Sequence, residues 1–249
     1  MPAKNRYAFV IDVSRCIDCR ACLVACSAEN LVPNNHTRIW VKDSGLKGEF
    51  PDLKRTFVPY NCMHCENPPC IEVCVSKATY KDAQSGLVLV DQEACIGCGF
   101  CVQACPYDAR YTDEKRGVVD KCNACEQRIQ IGLEPACVAT CVGASRYFGD
   151  LNDPNSAAAQ ALKNARSVLT LDVHYGEGKH SAPNIYYING EVEHAGIVPK
   201  QAPEYTLAEE SWKNAFLPLV GLGVGAAFLG QAVMFTRQLL RGESEFEDQ

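Results

Sequence analysis

The residues with the most chemistry to offer are sixteen cysteines in a chain of 249 residues, and their spacing narrows what that chemistry can be. They fall into four groups of four, with none left over. Cys16, Cys19, Cys22 and Cys26 are spaced C-x2-C-x2-C-x3-C, and Cys95, Cys98, Cys101 and Cys105 repeat that spacing, followed by Pro106. This is a ligand run for cubane iron-sulfur clusters. Cys62, Cys65, Cys70 and Cys74 have a longer middle spacer, and Cys122, Cys125, Cys137 and Cys141 a much longer one. Both keep the C-x2-C start and the C-x3-C end. Ser27, Val75 and Val142 stand where the other runs would carry the proline, a departure that removes no ligand.

A tight loop lets three successive thiolates reach three corners of a cube of iron and sulfide, while the fourth corner needs a distant cysteine. Such runs work in pairs, so four runs predict four [4Fe-4S] clusters on sixteen cysteines. Thiolate is the soft ligand that selects these sites. A disulfide framework suits short chains with scattered spacings, which these are not. Zinc can use two C-x2-C pairs but does not require the third cysteine two residues on. Attached c-type haem is not expected, because Arg20, Glu66, Gly99 and Glu126, not histidine, follow Cys19, Cys65, Cys98 and Cys125. His64, inside the second run, reads as a packing or hydrogen-bonding neighbour of a cluster. The remaining histidines and carboxylates show no triad or paired spacing, so no residue is expected to act as acid, base or nucleophile. The chain by itself is not expected to be an enzyme. A formal charge of -6 and no run of Lys and Arg argue against nucleic acid.

Short apolar stretches flank the runs and would position them: Tyr7 to Val13, Arg55 to Tyr60 and Leu87 to Asp91 read as strands. Thr79 to Lys81 with Leu87 to Val90, and Arg110 to Thr112 with Val118 to Lys121, read as hairpins. The predicted fold is α+β, a duplicated bacterial ferredoxin-like arrangement with a C-terminal extension and one transmembrane helix. Residues 1–50 with 107–150 would form one ferredoxin-like domain and 51–106 an inserted second one. A strand Arg146 to Phe148 would follow Cys141, and the extension, 151–210, would open with a turn at Asn152-Asp153-Pro154-Asn155 and a helix Ser156 to Ala165. Strands at Val168 to Val173 and Asn184 to Ile188 would follow, with Gly176 to Ala182 a flexible connection.

Residues 215–236 carry no charge, and as a helix would span about 33 Å, sufficient for a hydrocarbon core near 30 Å. Gly221 and Gly225 form a G-x-x-x-G pair suited to packing against another membrane helix. The same segment fits G-x-G-x-x-A, but no βαβ unit can follow, so the dinucleotide reading fails. No histidine is present there to bind haem b. Arg237 and Arg241 after the helix, against Lys213 before it, place the acidic tail 237–249 in the cytoplasm and the clusters outside the inner membrane, on the periplasmic face. No secretory signal is read before Cys16.

At Cys62-Met63-His64-Cys65-Glu66-Asn67-Pro68-Pro69-Cys70, Cys95-Ile96-Gly97-Cys98 and Phe148-Gly149-Asp150-Leu151, the sequence resembles the four-cluster beta subunits of complex iron-sulfur molybdoenzymes. Polysulfide reductase, dimethyl sulfoxide reductase, formate dehydrogenase and the quinone reductase complex of sulfate reducers contain such chains. The resemblance covers about residues 5 to 155. It implies that runs one and four share a pair of clusters and runs two and three another. The ligand sets so implied are Cys16, Cys19, Cys22 with Cys141; Cys122, Cys125, Cys137 with Cys26; Cys95, Cys98, Cys101 with Cys74; and Cys62, Cys65, Cys70 with Cys105. It further implies a relay of single electrons between a large molybdopterin-type subunit and a quinone-binding membrane subunit in a respiratory complex, with a multihaem cytochrome c as another partner. Export would occur with a partner bearing a twin-arginine signal. A free-standing membrane polyferredoxin serving several soluble reductases is the alternative.

Overall fold

The computed structural model describes residues 4–175, 178–190 and 217–241, and in the last helix the surroundings of side chains 226–237 and 240. Contacts divide the chain into two units, Met1–Pro203 and Glu204–Gln249.

The backbone of the first unit is a four-stranded sheet. Its central strand β1 (Tyr7–Asp12) is antiparallel to β8 (Arg146–Asp150) and parallel to β12 (Ile185–Ile188), which in turn pairs antiparallel with β9 (Val168–Leu169). The order across the sheet is therefore β8-β1-β12-β9. Covered on both faces, β1 reads as one apolar run rather than an alternation. Phe9 and Ile11 face a core that contains Cys22, Cys26, Cys62, Cys65, Cys105, Cys122 and Cys137. Val10 faces the other way, onto Ala158 and Leu162 of α6 (Ala157–Lys163). That helix begins where Ser156 Oγ accepts the Ala159 N–H at 3.2 Å.

Four two-stranded pairs surround the cysteine loops. They are β2 (Ile39–Asp43) with β3 (Phe57–Asn61), β4 (Thr79–Lys81) with β5 (Val88–Val90), β6 (Arg110–Asp113) with β7 (Val118–Lys121), and β10 (His174–Tyr175) with β11 (Lys179–His180). Each cysteine run feeds helix: α1 (Ala21–Asn30), then the single turns α2 (Pro69–Glu72), α3 (Phe100–Gln103), α4 (Glu126–Ile129) and α5 (Ala136–Ala139).

Ferredoxin-like α+β architecture is present, and the two hairpins lie where expected. Three details differ from the sequence reading. β2 was not anticipated. The expected strand Val168 to Val173 stops at Leu169, because Leu171 and Val173 turn into the cysteine core instead of continuing the ladder. The connection expected at Gly176 to Ala182 includes a hairpin strand, β11; residues 176 and 177 lie outside the described residues.

In the second unit, α7 (Leu217–Arg241) contains most of the charge-free stretch and runs five residues past Thr236. Among the described residues no helix is long and apolar enough to cross a membrane, so the predicted transmembrane helix gains no support from the fold. Lys213, residues 215–216 and the tail beyond Arg241 lie outside the described residues.

Candidate functional site

The loops that carry the cysteines share one backbone device. In every run the second residue after the first cysteine has a positive φ: Asp18 at 52°, His64 at 45°, Gly97 at 67° and Ala124 at 57°. In runs two, three and four the third residue after the last cysteine does so as well: Lys77, Asp108 and Ala144. Left-handed residues inserted into a tight turn aim successive N–H groups to one side, making a concavity that favours negative charge. Backbone amides in these loops and in β7 donate to sulfur. Thr79 N–H reaches Cys74 Sγ at 3.3 Å, Val119 N–H reaches Cys95 Sγ at 3.4 Å, Ala124 N–H reaches Cys122 Sγ at 3.4 Å and Ser145 N–H reaches Cys141 Sγ at 3.2 Å. Gly97 has a second constraint, since a Cβ there would lie 2.2 Å from the Gly117 carbonyl oxygen in the β6–β7 turn.

All sixteen cysteines are free thiols. Cys16, Cys19, Cys22 and Cys141 line one cavity together with Arg146. Burial first, then the charges of Cys122, Cys137 and Cys125, push the Cys26 thiol up, which places Cys26 among the cysteines of run four. Burial, Cys62, Cys70 and Cys105 do the same to Cys65, and burial with Cys62 and Cys70 pushes Cys105 up to about 12. For the remaining four the convergence is looser. Cys95 and Cys101 share a small apolar cluster with Cys70. Cys74 follows α2, which packs on the α3 turn containing Cys101. Cys74 is held below the usual thiol range, because the N–H and hydroxyl donors around it outweigh its burial. Among the described residues, no three or more His, Cys, Asp or Glu side chains stand around a point where a single ion could sit.

These groups follow one another in space. Cys22 acts on Cys137, Cys62 acts on Cys122, and Cys101 acts on Cys70. The order is therefore the Cys16 group, the Cys122 group, the Cys62 group and the Cys95 group. All eight cysteines of the two middle groups are buried, whereas each end presents one exposed thiol, Cys19 at one and Cys98 at the other. Exposed apolar side chains collar both ends: Ile17 and Val142 beside Cys16 and Cys141, and Ile96, Phe100 and Val75 beside Cys95, Cys101 and Cys74.

Buried thiols pushed toward 12 do not ionise unaided, so the pattern calls for a positive body among them and for an outer shell that tolerates the resulting anion. The surroundings supply that shell. Arg146 is 3% exposed, donates to Asn61 Oδ1 at 2.5 Å, and leaves its Nε and Nη1 without a protein partner beside Cys22, Cys122 and Cys137. Arg110 donates to Cys70 Sγ at 3.0 Å and to Thr79 Oγ1 at 3.1 Å. Asn30 Nδ2 approaches Cys125 Sγ at 3.5 Å and Cys26 Sγ at 3.7 Å, and Asn61 Nδ2 approaches Cys122 Sγ at 3.7 Å. Donors crowded on soft anionic ligands, with orphaned guanidinium N–H groups among them, fit an iron-sulfur cluster. His64 is fully buried, its Nδ1 accepting the Val88 N–H at 3.2 Å and its Nε2 unpartnered, which fits the expected role of a neighbour.

Sequence reasoning found every cysteine but missed Arg110, Arg146, Asn30 and Asn61. A signal for the arginines existed: each stands five residues after the last cysteine of its run, at the start of the next strand.

Two family models described as "4Fe-4S dicluster domain" match residues 15–78 and 53–151. The B subunit of the tetrathionate reductase of Salmonella typhimurium is 40% identical over 186 residues, covering 74% of this chain and 73% of its own. The "Protein NrfC" of Escherichia coli is 42% identical over 159 residues, 64% of this chain and 71% of its own. A protein of Halobacterium salinarum named as a dimethyl sulfoxide reductase iron-sulfur subunit is 36% identical over 217 residues, 76% and 80%. Two dicluster matches and sixteen cysteines make the cofactors four [4Fe-4S] clusters. The chain belongs to the family of molybdoenzyme iron-sulfur subunits, which transfer electrons through [4Fe-4S] clusters within reductase complexes and are not themselves the catalytic subunits.

Proposed function

We propose that this chain relays single electrons between a molybdopterin-type catalytic subunit at one end and a quinone-reactive membrane subunit at the other. The supporting observation is the succession of four neighbouring thiol groups, buried in the middle and exposed at Cys19 and Cys98. Each cluster, when bound, accepts and releases one electron. What the protein contributes is spacing, exclusion of water from the inner two sites, and donors that stabilise added negative charge.

The proposed ligand sets are Cys16, Cys19, Cys22 with Cys141; Cys122, Cys125, Cys137 with Cys26; Cys62, Cys65, Cys70 with Cys105; and Cys95, Cys98, Cys101 with Cys74. The neighbours of Cys26, Cys65 and Cys141 support three of them. The fourth rests on the family pattern and on the α2–α3 contact. The apolar collars at the two exposed ends suit protein partners that exclude water as they dock.

Anchoring is also proposed, on the sequence of residues 215–236 and on the exposure of Phe228, Leu229, Val233, Met234 and Phe235 in α7. The excess of Arg after that segment favours a cytoplasmic C-terminus and a cluster domain on the periplasmic face. Anaerobic purification from membranes tests the whole reading. It expects about sixteen irons per chain, a stoichiometric large partner and protease accessibility in spheroplasts. About eight irons, or a chain that emerges alone, would count against it.

A further inference from the structure

The three gaps along the row of thiol groups each contain a buried cation. Arg146 lies between the first and second groups: the charges that act on it are those of Cys22 on one side and Cys137 and Cys122 on the other. Lys121, 2% exposed, lies between the second and third, acting on both Cys122 and Cys70. Its ammonium donates to the carbonyls of Val88 and of Cys122, the latter at 2.7 Å. Arg110, 4% exposed, lies between the third and fourth, among Cys70, Cys62 and Cys105 on one side and Cys101 on the other. The neighbours these cations hold are neutral or sulfur: Asn61 for Arg146, two carbonyls for Lys121, and Thr79 with Cys70 for Arg110. Arg146 also lies over the Phe9 ring, 5.7 Å from its centroid, so its charge is held away from water.

Burying an ammonium or guanidinium is strongly unfavourable unless negative charge meets it. Two arginines at the same offset from the last cysteine of runs three and four, one in each pair, form a repeated arrangement rather than an isolated burial. We propose that Arg146, Lys121 and Arg110 form a ladder of fixed positive charges, one in each gap between consecutive clusters, that raises both neighbouring reduction potentials and weakens the repulsion between them. This rests on the ligand sets proposed above. Adding an electron makes a cluster more negative, so a fixed cation at its edge favours the reduced form; shared by two clusters, it favours both. Without it, reducing one cluster in a low-dielectric interior discourages reduction of the next.

The test is a potentiometric titration, followed by spin resonance, of the anaerobically purified holoprotein and three variants. Signals are assigned beforehand from Cys19→Ser and Cys98→Ser at the two ends. Arg146→Gln is expected to lower the potentials of the first and second clusters, Lys121→Met the second and third, and Arg110→Gln the third and fourth. Each affected cluster should show at least a tenfold lower reduced-to-oxidised ratio at fixed ambient potential, which is 59 mV for a one-electron couple. The conservative variants Arg146→Lys and Arg110→Lys keep the charge and should restore most of the shift. Full iron content with unmoved potentials, or one uniform shift of all four clusters, overturns the ladder. Loss of iron from both the Gln and the Lys variant of an arginine also overturns it, since that assigns the residue to holding the fold. An error in the ligand sets looks different. The overlapping pairwise pattern survives, but Cys19→Ser or Cys98→Ser abolishes a signal that no variant of the adjacent gap moves.

Discussion

Replacing Asp120 by Asn breaks a buried charge pair with Arg38 that ties the segment after α1 to β7. Arg38 and Asp120 are 7% and 5% exposed, and the guanidinium Nη2 donates to both carboxylate oxygens at 2.8 Å. Asp120 also accepts the Tyr111 hydroxyl at 2.8 Å, the Lys121 N–H at 2.7 Å and, from the more exposed Arg116, an Nη2 bond at 3.2 Å. Burial alone would raise the Asp120 carboxyl, but the charge and hydrogen bonds of Arg38 win and hold it below the usual carboxylate range. Two unit charges about 4 Å apart attract by about 4 kcal/mol at an effective dielectric near 20. Removing one partner of a buried pair costs about 3–5 kcal/mol, because the other is left uncompensated. The low end, about 3 kcal/mol, applies here, since the Arg38 charge also acts on the Cys26 sulfur. That is roughly a 100-fold larger open population. Native-state proteolysis of the anaerobic holoprotein reads it, in the regime where opening is fast relative to cleavage. Asp120→Asn should be nicked roughly 100-fold faster, and Arg38→Met with Asp120→Leu should recover most of the loss. The sign with pH follows from the lowered carboxyl. The pair's contribution is complete above about pH 4 and disappears as pH falls through the lower folded value. A single variant within about threefold of the parent, or a double variant as fragile as Asp120→Asn, would refute the reasoning.

Cys19→Ser, at an exposed end, should remove or convert one cluster and leave about twelve or more irons per chain, by iron analysis. Cys122→Ser, buried in the second group, should in addition stop electrons added at one end from reaching the other, by stopped-flow reduction in the intact complex. Gly97→Ala combines φ of +67° with the 2.2 Å approach to the Gly117 oxygen, so iron should be lost selectively from the Cys95 group. Gly99→Ala has φ of +76° but open space, and should keep its iron at a cost of about 1–2 kcal/mol. Asp172 accepts from Ala182 N–H and Ser181 Oγ–H, at 2.8 and 2.9 Å, and from His180; these outweigh burial and hold it below the usual carboxylate range. Its support for the segment beside Cys65 should therefore be present above about pH 4 and fade below it, with Asp172→Asn flattening that dependence in proteolysis of residues 170–185.

The ligands were legible because metal coordination writes its demands as short, repeated intervals between one residue type. The hairpins were legible too, since the apolar run of β5 and the Val118-Val119 start of β7 each follow a turn-like stretch after a short strand. β2 escaped because its partner β3 lies some fifteen residues away, across a loop whose composition does not announce a return. The end of β9 escaped because Leu171 and Val173 look like strand residues but are claimed by the core around Tyr107, whose hydroxyl donates to the Leu171 carbonyl at 2.7 Å. Arg110 and Arg146 were passed over for a different reason, although their common offset from the last cysteine was there to be read. A charged residue at the start of a strand usually marks the surface, and only the folded chain reveals that the sulfur-rich interior is where these charges belong.

The pairing of Phe9 with Ile185 in the central sheet has a consequence for biogenesis. A ribosome must translate past Ile188 before β1 gains its parallel neighbour, so the sheet behind the Cys16 and Cys122 groups stays open for most of synthesis. The Cys62–Cys65 loop waits for the same stretch of chain, since the Glu66 and Asn67 N–H groups donate to the Ala182 and Ser181 carbonyls at 2.7 and 3.1 Å. One short stretch, residues 181–188, thus finishes both the central sheet and the loop around Cys65, so the two halves of the sulfur-rich interior are enclosed together and late.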